Sequence, residues 1–332
     1  MAADGVLGST GSGIAKRRLI FVAKLAVTAF AFVAVASLAD VGEALRLMRD
    51  QSLGLLFAAG LAVFVQVVLG AMRWRAVLKA AVPQAAAQIS PAEALRLYYA
   101  SIFFNAFVPG GSIGGDVMRV VATRGLGVTT GAAVNSVVLD RMLTLAVLLF
   151  LALPAAPLVW QSLGISSTAV ILLAGAGALS VLAWQAAGMV ERLQPLRRRA
   201  SAMARNFGAA ALLLARRPGA VLLAVLLAAG AHVMCCLAMW LIARSVGVEL
   251  GLGQALLLVP LVFLASALPI SVGGWGVREI GAIGLLGLAG VASHEAVVVS
   301  LQFGVISTLV SLPGGLIWLS RSARRPAPAA LD

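Results

Sequence analysis

Charged side chains are scarce in this sequence: 11% of its residues are Asp, Glu, Lys or Arg, whereas 61% are hydrophobic. Soluble domains average about 25% charged residues, so the composition excludes a chain that lies mainly in water. Long hydrophobic runs take the place of the missing charge, and the mean hydropathy is +1.04. The sequence therefore predicts an integral membrane protein built almost wholly of transmembrane helices.

Cysteine is almost absent, and its two copies, Cys235 and Cys236, are adjacent inside a hydrophobic run. Neighbouring cysteines form neither a disulfide framework nor a zinc site, so we interpret them as small packing residues. No cluster of histidine and aspartate accompanies the motifs described below. The sequence thus predicts no catalytic group, no metal site and no cofactor.

Acidic residues are also few, since 12 Asp and Glu stand against 25 Lys and Arg, for a formal net charge of +13. The basic residues cluster just outside hydrophobic segments, which is typical of cytoplasmic loops and of contact with anionic lipid. Aromatic residues do not interleave with them to form a base-stacking surface, which argues against nucleic-acid binding.

Six hydrophobic runs have the length of about 20 residues that a helix needs to cross a bilayer. Two shorter runs end at Pro109 and Pro269 and are interpreted as the first helices of two re-entrant pairs; eight full spans are the alternative. Ser90 and Glu93 around Pro91 form a capping box, which predicts a helix from Pro91 towards Phe107. The six long runs cover 19–39, 53–72, 129–152, 166–187, 219–243 and 295–319.

Basic residues predict the orientation, because cytoplasmic loops carry an excess of Lys and Arg. This rule places both termini in the cytoplasm, together with the loop that holds Arg73, Arg75, Lys79 and Arg96. Three spans in each half then require the second half to be inverted, which is the 3+3 inverted repeat of many secondary transporters. Arg-rich and Lys-poor usage favours a GC-rich bacterium and hence its inner membrane.

The predicted organisation has five parts. The membrane repeats are 19–152, with a cytoplasmic-side re-entrant unit at 91–125, and 166–320, with an outer-side re-entrant unit at 252–292. The other parts are a disordered cytoplasmic N-terminus at 1–18, a basic cytoplasmic linker at 188–218 and a cytoplasmic tail at 321–332.

Asp140 and Arg141 occupy the centre of the third predicted span, where each charge costs about 2.5–3.5 kcal/mol on insertion scales. Sequence neighbours do not share a helix face, so at least one of them needs a partner elsewhere. Both re-entrant units carry a Gly-Gly pair followed by charged residues, and we expect these charges to meet at the junction of the halves.

Such a cluster suits an anionic headgroup, because guanidinium groups bind phosphate through paired hydrogen bonds and free helix N–H groups add to this. The alternative is that the charges only hold helices together. Asn105 either lines the cavity or caps backbone groups, and Trp275 either covers the outer gate or anchors its loop. The candidate substrate-binding residues are Asn105, Gly114, Gly115, Asp116, Arg119, Asp140, Arg141, Gly273, Gly274, Trp275, Arg278 and Glu279.

Three segments carry a family resemblance: Asn105 to Arg119, Asp140-Arg141, and Gly273 to Glu279. They resemble the flippase-like transmembrane region of lysylphosphatidylglycerol synthases and its stand-alone relatives, over about 19–320. The resemblance implies movement of a lipid between leaflets, with phospholipid, hopanoid-related and polyprenyl-linked lipids as candidates. The synthases continue into an aminoacyl-transferase domain, whereas this sequence ends at Asp332, so aminoacyl transfer is not expected.

Three functional classes follow from these observations. The first is a flippase for an anionic or phosphate-bearing lipid, with membrane lipids as partners. The second is a membrane-embedded enzyme acting on a lipid phosphate or a polyprenyl-linked sugar, which would want a carboxylate base or a metal near the headgroups. The third is an accessory scaffold that docks a lipid-modifying enzyme. A homo-oligomer is compatible with all three.

Overall fold

The computed structural model describes residues 26–31, 33–37, 40–81, 89–107, 112–124, 128–163, 208, 212, 216–267 and 274–322. These residues form helices, turns and loops and contain no β-strand, which confirms the all-helical prediction. The helices are α1 (Ala26–Ser37), α2 (Val41–Arg49), α3 (Leu53–Ala81), α4 (Pro91–Phe107), α5 (Ser112–Arg124), α6 (Thr130–Ala152), α7 (Ala156–Leu163), α8 (Pro218–Ser245), α9 (Leu252–Ser266), α10 (Val277–Leu286), α11 (Ser293–Ser311) and α12 (Pro313–Ser322).

Four helical stretches in this part of the chain are long and apolar enough to cross a membrane, and the bent pair of α1 and α2 makes up to five. They are α3, α8, Thr130–Val159 (α6 with α7) and Ser293–Ser320 (α11 with α12). Four of the predicted runs are thereby confirmed as helices of spanning length. The predicted span at 166–187, most of the linker at 188–218, the N-terminus at 1–18 and Gly273 lie outside the described residues.

Helix α4 has the bounds that its capping signal predicts. The Glu93 amide donates to Ser90 Oγ at 3.2 Å, and Pro91 occupies the first helical position, where no backbone N–H is needed. Helix α5 follows α4 and packs against it, as α10 packs against α9 in the second half of the chain. Each predicted re-entrant unit is therefore a pair of packed helices.

Helices α3 and α8 run antiparallel and pack against each other along their length. The Ser52 amide donates to the Ser245 carbonyl oxygen at 2.8 Å at one end, and Val77 and Ala81 pack with Ala224 at the other. Small side chains let helix backbones approach closely in a membrane, and α8 buries alanines along its length.

Arg73 corrects one sequence prediction, because it lies inside α3 and is buried rather than in a cytoplasmic loop. It stands about two turns before the end of α3 at Ala81. The opposite end of α3 meets α11, where Gln302 Nε2 donates to Gln51 Oε1 at 2.5 Å. The two ends of α3 therefore serve as reference points for the positions of the polar residues along the helix.

Candidate functional site

Five charged side chains meet where α3, α5 and α6 pack together, and we call them the first polar cluster. Each helix contributes to it: one residue comes from α3, two from α5 and two from α6. The members are Arg73, Asp116, Arg119, Asp140 and Arg141.

Asp140 is the buried centre of this cluster, with its side chain 1% exposed. Arg73 Nε donates to Asp140 Oδ1 at 2.7 Å and Arg73 Nη2 donates to Asp140 Oδ2 at 3.3 Å. Arg119 Nη1 donates to the same Oδ2 at 3.0 Å. Two arginines from different helices therefore compensate the charge that sequence reasoning found costly at the middle of α6.

Asp116 forms the more accessible edge of the cluster, with its side chain 21% exposed. Its Oδ1 accepts from Arg119 Nη2 at 2.5 Å and from Arg141 Nη2 at 3.0 Å, and its Oδ2 accepts from Arg141 Nε at 3.0 Å. The Arg141 side chain is 38% exposed, so the guanidinium group at this edge can be reached from outside the protein.

The first polar cluster carries one net positive charge, because three guanidinium groups face two carboxylates. Two buried donors beside it, Trp74 Nε1 and Arg119 Nε, have no hydrogen-bond partner among the described residues. The Arg119 guanidinium lies 5.5 Å from the Trp74 ring centre and 5.4 Å from that of Tyr98. Buried donors are nearly always paired in proteins, so these two N–H groups can donate to an acceptor atom of a ligand or to an ordered water.

The junction of α4 and α5 positions Asp116 and Arg119. The Gly115 amide donates to Asn105 Oδ1 at 2.8 Å, so Asn105 holds a backbone group. Helix α5 begins at Ser112, which places both Gly114 and Gly115 inside the helix. The prediction of free N–H groups after these glycines is therefore wrong at Gly115, whose amide is paired.

We expect Gly115→Ala to destabilise the α4–α5 pair. A Cβ atom at Gly115 would meet the Ser101 carbonyl oxygen and lie 2.5 Å from Asn105 Oδ1. Overpacking of this kind costs about 1–3 kcal/mol, to be measured as the free energy of unfolding in mixed detergent. Gly131→Ala is the matched control, because a Cβ atom there meets nothing within 4 Å. Equal stability of the two variants would contradict the close packing at Gly115.

A second group of polar side chains joins α10 to α11, and we call Arg278, Glu279 and Ser300 the second polar cluster. Arg278 Nη2 donates to Glu279 Oε1 at 2.7 Å, and Arg278 Nε donates to Ser300 Oγ at 3.1 Å. Glu279 Oε2 accepts from the Gly276 amide at 2.6 Å. The Arg278 guanidinium lies 4.9 Å from the Trp275 ring centre. This cluster is neutral and almost completely buried.

The sequence matches the family described as the lysylphosphatidylglycerol synthase TM region over residues 21–314. The chain belongs to this family. None of the curated proteins matches it at a significant level. The match confirms the resemblance inferred from the motifs, and it identifies a multi-pass membrane protein of a family associated with lipid modification or transport.

In this member of the lysylphosphatidylglycerol synthase TM family, the ion pairs divide the charged residues that were expected to meet (Asp116, Arg119, Asp140, Arg141, Arg278 and Glu279) into two groups. Asp116, Arg119, Asp140 and Arg141 lie together in the first polar cluster, whereas Arg278 pairs with its neighbour Glu279. Gly274 and Trp275 lie beside the second polar cluster, since the Arg278 amide donates to the Gly274 carbonyl oxygen at 3.0 Å and the Arg278 guanidinium lies over the Trp275 ring. No group of three or more His, Cys, Asp and Glu residues in the described ranges is arranged to hold a metal ion.

Sequence reasoning missed three residues of the first polar cluster and its surroundings: Arg73, Trp74 and Tyr98. Arg73 and Trp74 were assigned to a loop because the hydrophobic run ends at 72. A signal was available, since 73–81 holds good helix formers and neither glycine nor proline. Extending α3 by these residues places Arg73 inside the helical part of the protein.

Proposed function

We propose that this chain is a flippase that moves an anionic or phosphate-bearing lipid between the two leaflets, rather than an enzyme. The net positive charge of the first polar cluster carries this proposal, together with two buried donors that have no partner in the part of the chain that the structure describes. Three guanidinium groups against two carboxylates favour the binding of an anion, and a phosphate monoanion would balance the charges of these five side chains. The residues proposed to bind the headgroup are Arg119 and Arg141, with Trp74 as a further donor.

Each of these residues has a distinct role in the proposed binding. Arg141 is the most exposed member and meets the headgroup first. Arg119 is fixed by both aspartates, so its remaining Nε–H is held in one direction without further loss of conformational freedom. Arg73 and Asp140 act through Arg119 and hold it in place. A lipid headgroup would thereby exchange water for fixed donors while its chains stay in the bilayer.

The proposed architecture has six spans and two re-entrant pairs in a 3+3 inverted repeat, in a bacterial inner membrane with both termini cytoplasmic. The position of the two clusters along α3 supports it. The first polar cluster includes Arg73 near the C-terminal end of α3. Ser300 of the second precedes Gln302, which contacts Gln51 just before α3 begins. Re-entrant pairs that enter from opposite faces would place their charges in this way.

Cysteine labelling tests the inversion. In a background with Cys235→Ala and Cys236→Ala, we expect Ala92→Cys to react with a membrane-impermeant maleimide from the cytoplasmic side only. We expect Glu249→Cys to react from the outer side only. Ala92 and Glu249 are exposed and stand just inside α4 and just before α9. Labelling of both positions from the same face would contradict the inverted repeat.

Transport is tested with the purified protein in liposomes that contain fluorescent phosphatidylglycerol. We expect Arg141→Gln to lower the rate of leaflet exchange by at least about tenfold, which corresponds to about 1.4 kcal/mol in the barrier. Arg46→Gln is the matched control, because its ion pair with Glu43 lies on the surface, with the Arg46 side chain 78% exposed. A folded Arg141→Gln protein that exchanges lipid at the rate of Arg46→Gln would contradict the proposed headgroup binding.

The same assay separates the other functional classes. Chemical conversion of the labelled lipid would support a membrane-embedded enzyme. Neither exchange nor conversion, together with co-purification of a lipid-modifying enzyme, would support an accessory scaffold.

A further inference from the structure

The two glycine-rich segments share a longer pattern than the glycine pair alone. Ser112 to Arg119 reads Ser-Ile-Gly-Gly-Asp-Val-Met-Arg, and Ser271 to Arg278 reads Ser-Val-Gly-Gly-Trp-Gly-Val-Arg. Both fit Ser-x-Gly-Gly-x-x-x-Arg without a gap. The pattern makes Gly115 equivalent to Gly274 and Arg119 equivalent to Arg278. The structure describes Gly274 onwards in the second segment, so both equivalences can be compared in space.

The equivalent arginines have equivalent surroundings. Arg119 and Arg278 are buried, with 2% and 7% of their surface exposed. Each guanidinium binds carboxylate oxygens and lies against two aromatic rings. For Arg119 these are Trp74 and Tyr98. For Arg278 they are Trp275 at 4.9 Å and Phe303 at 5.7 Å.

The equivalent glycines both face a serine carbonyl oxygen of the preceding helix. A Cβ atom at Gly115 would meet the Ser101 carbonyl oxygen of α4, and one at Gly274 would lie 3.4 Å from the Ser266 carbonyl oxygen of α9. Gly115 lies inside α5, whereas Gly274 lies in the turn before α10 with a φ of +79°. The shared pattern therefore places a glycine against the preceding helix and a buried arginine four residues later in both segments, although the local backbone differs.

The two arginines differ in how fully they are neutralised. The first polar cluster keeps one positive charge, whereas Glu279 neutralises Arg278. Arg278 still has a free group, because its Nε and Nη2 atoms donate to Glu279 and Ser300 while Nη1 has no partner among the described residues. A headgroup acceptor can therefore bind Arg278 without displacing Glu279.

We propose that Arg278 is a second headgroup site, which binds the phosphate of the transported lipid at the opposite end of the path from Arg119. This inference rests on the proposed flippase function and deepens it. The lipid phosphate leaves the positive first polar cluster and is received by Arg278 Nη1, with the Trp275 ring beside it. The neutral pair binds more weakly than the charged cluster, which allows release into the second leaflet.

The absence of a side chain at Gly304 on α11 leaves space for the Arg278 and Trp275 side chains of the second headgroup site. A Cβ atom there would meet Arg278 Nη2 and lie 2.6 Å from Trp275 Cη2. Gly304→Ala should therefore shift both side chains while it keeps every charge of the protein. We expect it to slow leaflet exchange several-fold, whereas Gly284→Ala, where a Cβ atom meets nothing within 4 Å, leaves the rate unchanged.

Photocrosslinking tests the second site directly. p-Benzoylphenylalanine replaces either Tyr98 or Trp275 in the full chain, reconstituted with radiolabelled phosphatidylglycerol. We expect both probes to capture the lipid. Arg278→Gln should abolish capture of the lipid at 275 and keep its capture at 98. If the Gln variant does not fold, Arg278→Lys replaces it and should lower capture at 275 several-fold.

The outcomes separate this inference from the proposed function. Suppose that the probe at 98 captures phosphatidylglycerol and the protein exchanges lipid, but the probe at 275 captures no more phosphatidylglycerol than phosphate-free glycolipid. This result overturns the second site and leaves the proposed flippase function in place. Capture at 275 that Arg278→Lys and Gly304→Ala do not change also overturns it. No capture at either position and no exchange overturns both proposals.

Discussion

Asp140→Asn is expected to lower the free energy of unfolding by about 3–5 kcal/mol, the usual cost of removing one partner of a buried ion pair. The variant removes the charge that Arg73 and Arg119 share from two sides. Two guanidinium groups, 6% and 2% exposed, would then face each other with one carboxylate fewer. Chemical unfolding in mixed detergent measures the loss, and leaflet exchange should stop as well.

Two control variants show whether the loss of stability comes from the buried ion pairs of Asp140. Glu43→Gln breaks an exposed ion pair and should cost no more than about 1 kcal/mol. The double variant Arg73→Gln with Asp140→Asn removes a positive and a negative charge together, so part of the lost stability should return. An Asp140→Asn protein as stable as Glu43→Gln would show that the cluster does not depend on its central carboxylate.

Arg119→Lys is expected to reduce leaflet exchange by at least about tenfold although the net charge stays the same. Arg119 uses separate nitrogens for Asp140 and Asp116, at 3.0 and 2.5 Å, and its Nε–H has no acceptor within the described ranges. A lysine ammonium is a single point charge and cannot reproduce this fork. The exchange rate in liposomes measures the effect, with the unfolding free energy determined in parallel.

Arg96→Lys is the control for this substitution, because Arg96 is exposed on α4. Its exchange rate should equal that of the unaltered protein. If Arg119→Lys also exchanged lipid at that rate, charge alone would be sufficient and the geometric part of the account would be wrong.

The helical part of the fold was predictable because hydrophobic length and capping are local signals. Helix α4 begins at Pro91 and ends at Phe107, as the capping box and the length of the run indicate. The end of α3 was not predictable from hydropathy, since Arg73 is buried only because Asp140 compensates it across 67 positions of sequence. Periodicity along one helix carries no information about such a distant partner.

Four of the five members of the first polar cluster were predicted as site residues, Arg73 being the exception, but the grouping of the charged residues was not. Asp140 and Arg141 stood out because charges inside a span need partners. Which partners they have depends on helix packing: Asp116 lies against Arg141, while Glu279 is satisfied by Arg278, Ser300 and the Gly276 amide. A glutamate three residues after a glycine turn is a capping signal, and it favours this local role.

The central claim is that a lipid phosphate binds the first polar cluster during movement between leaflets. The most direct test compares exchange of two fluorescent lipids with identical chains by the unaltered protein, phosphatidylglycerol and a phosphate-free diglycosyl lipid. Exchange of phosphatidylglycerol is expected to be at least about tenfold faster than that of the glycolipid, with no preference in protein-free liposomes. Equal rates for the two lipids in the presence of the protein would contradict it.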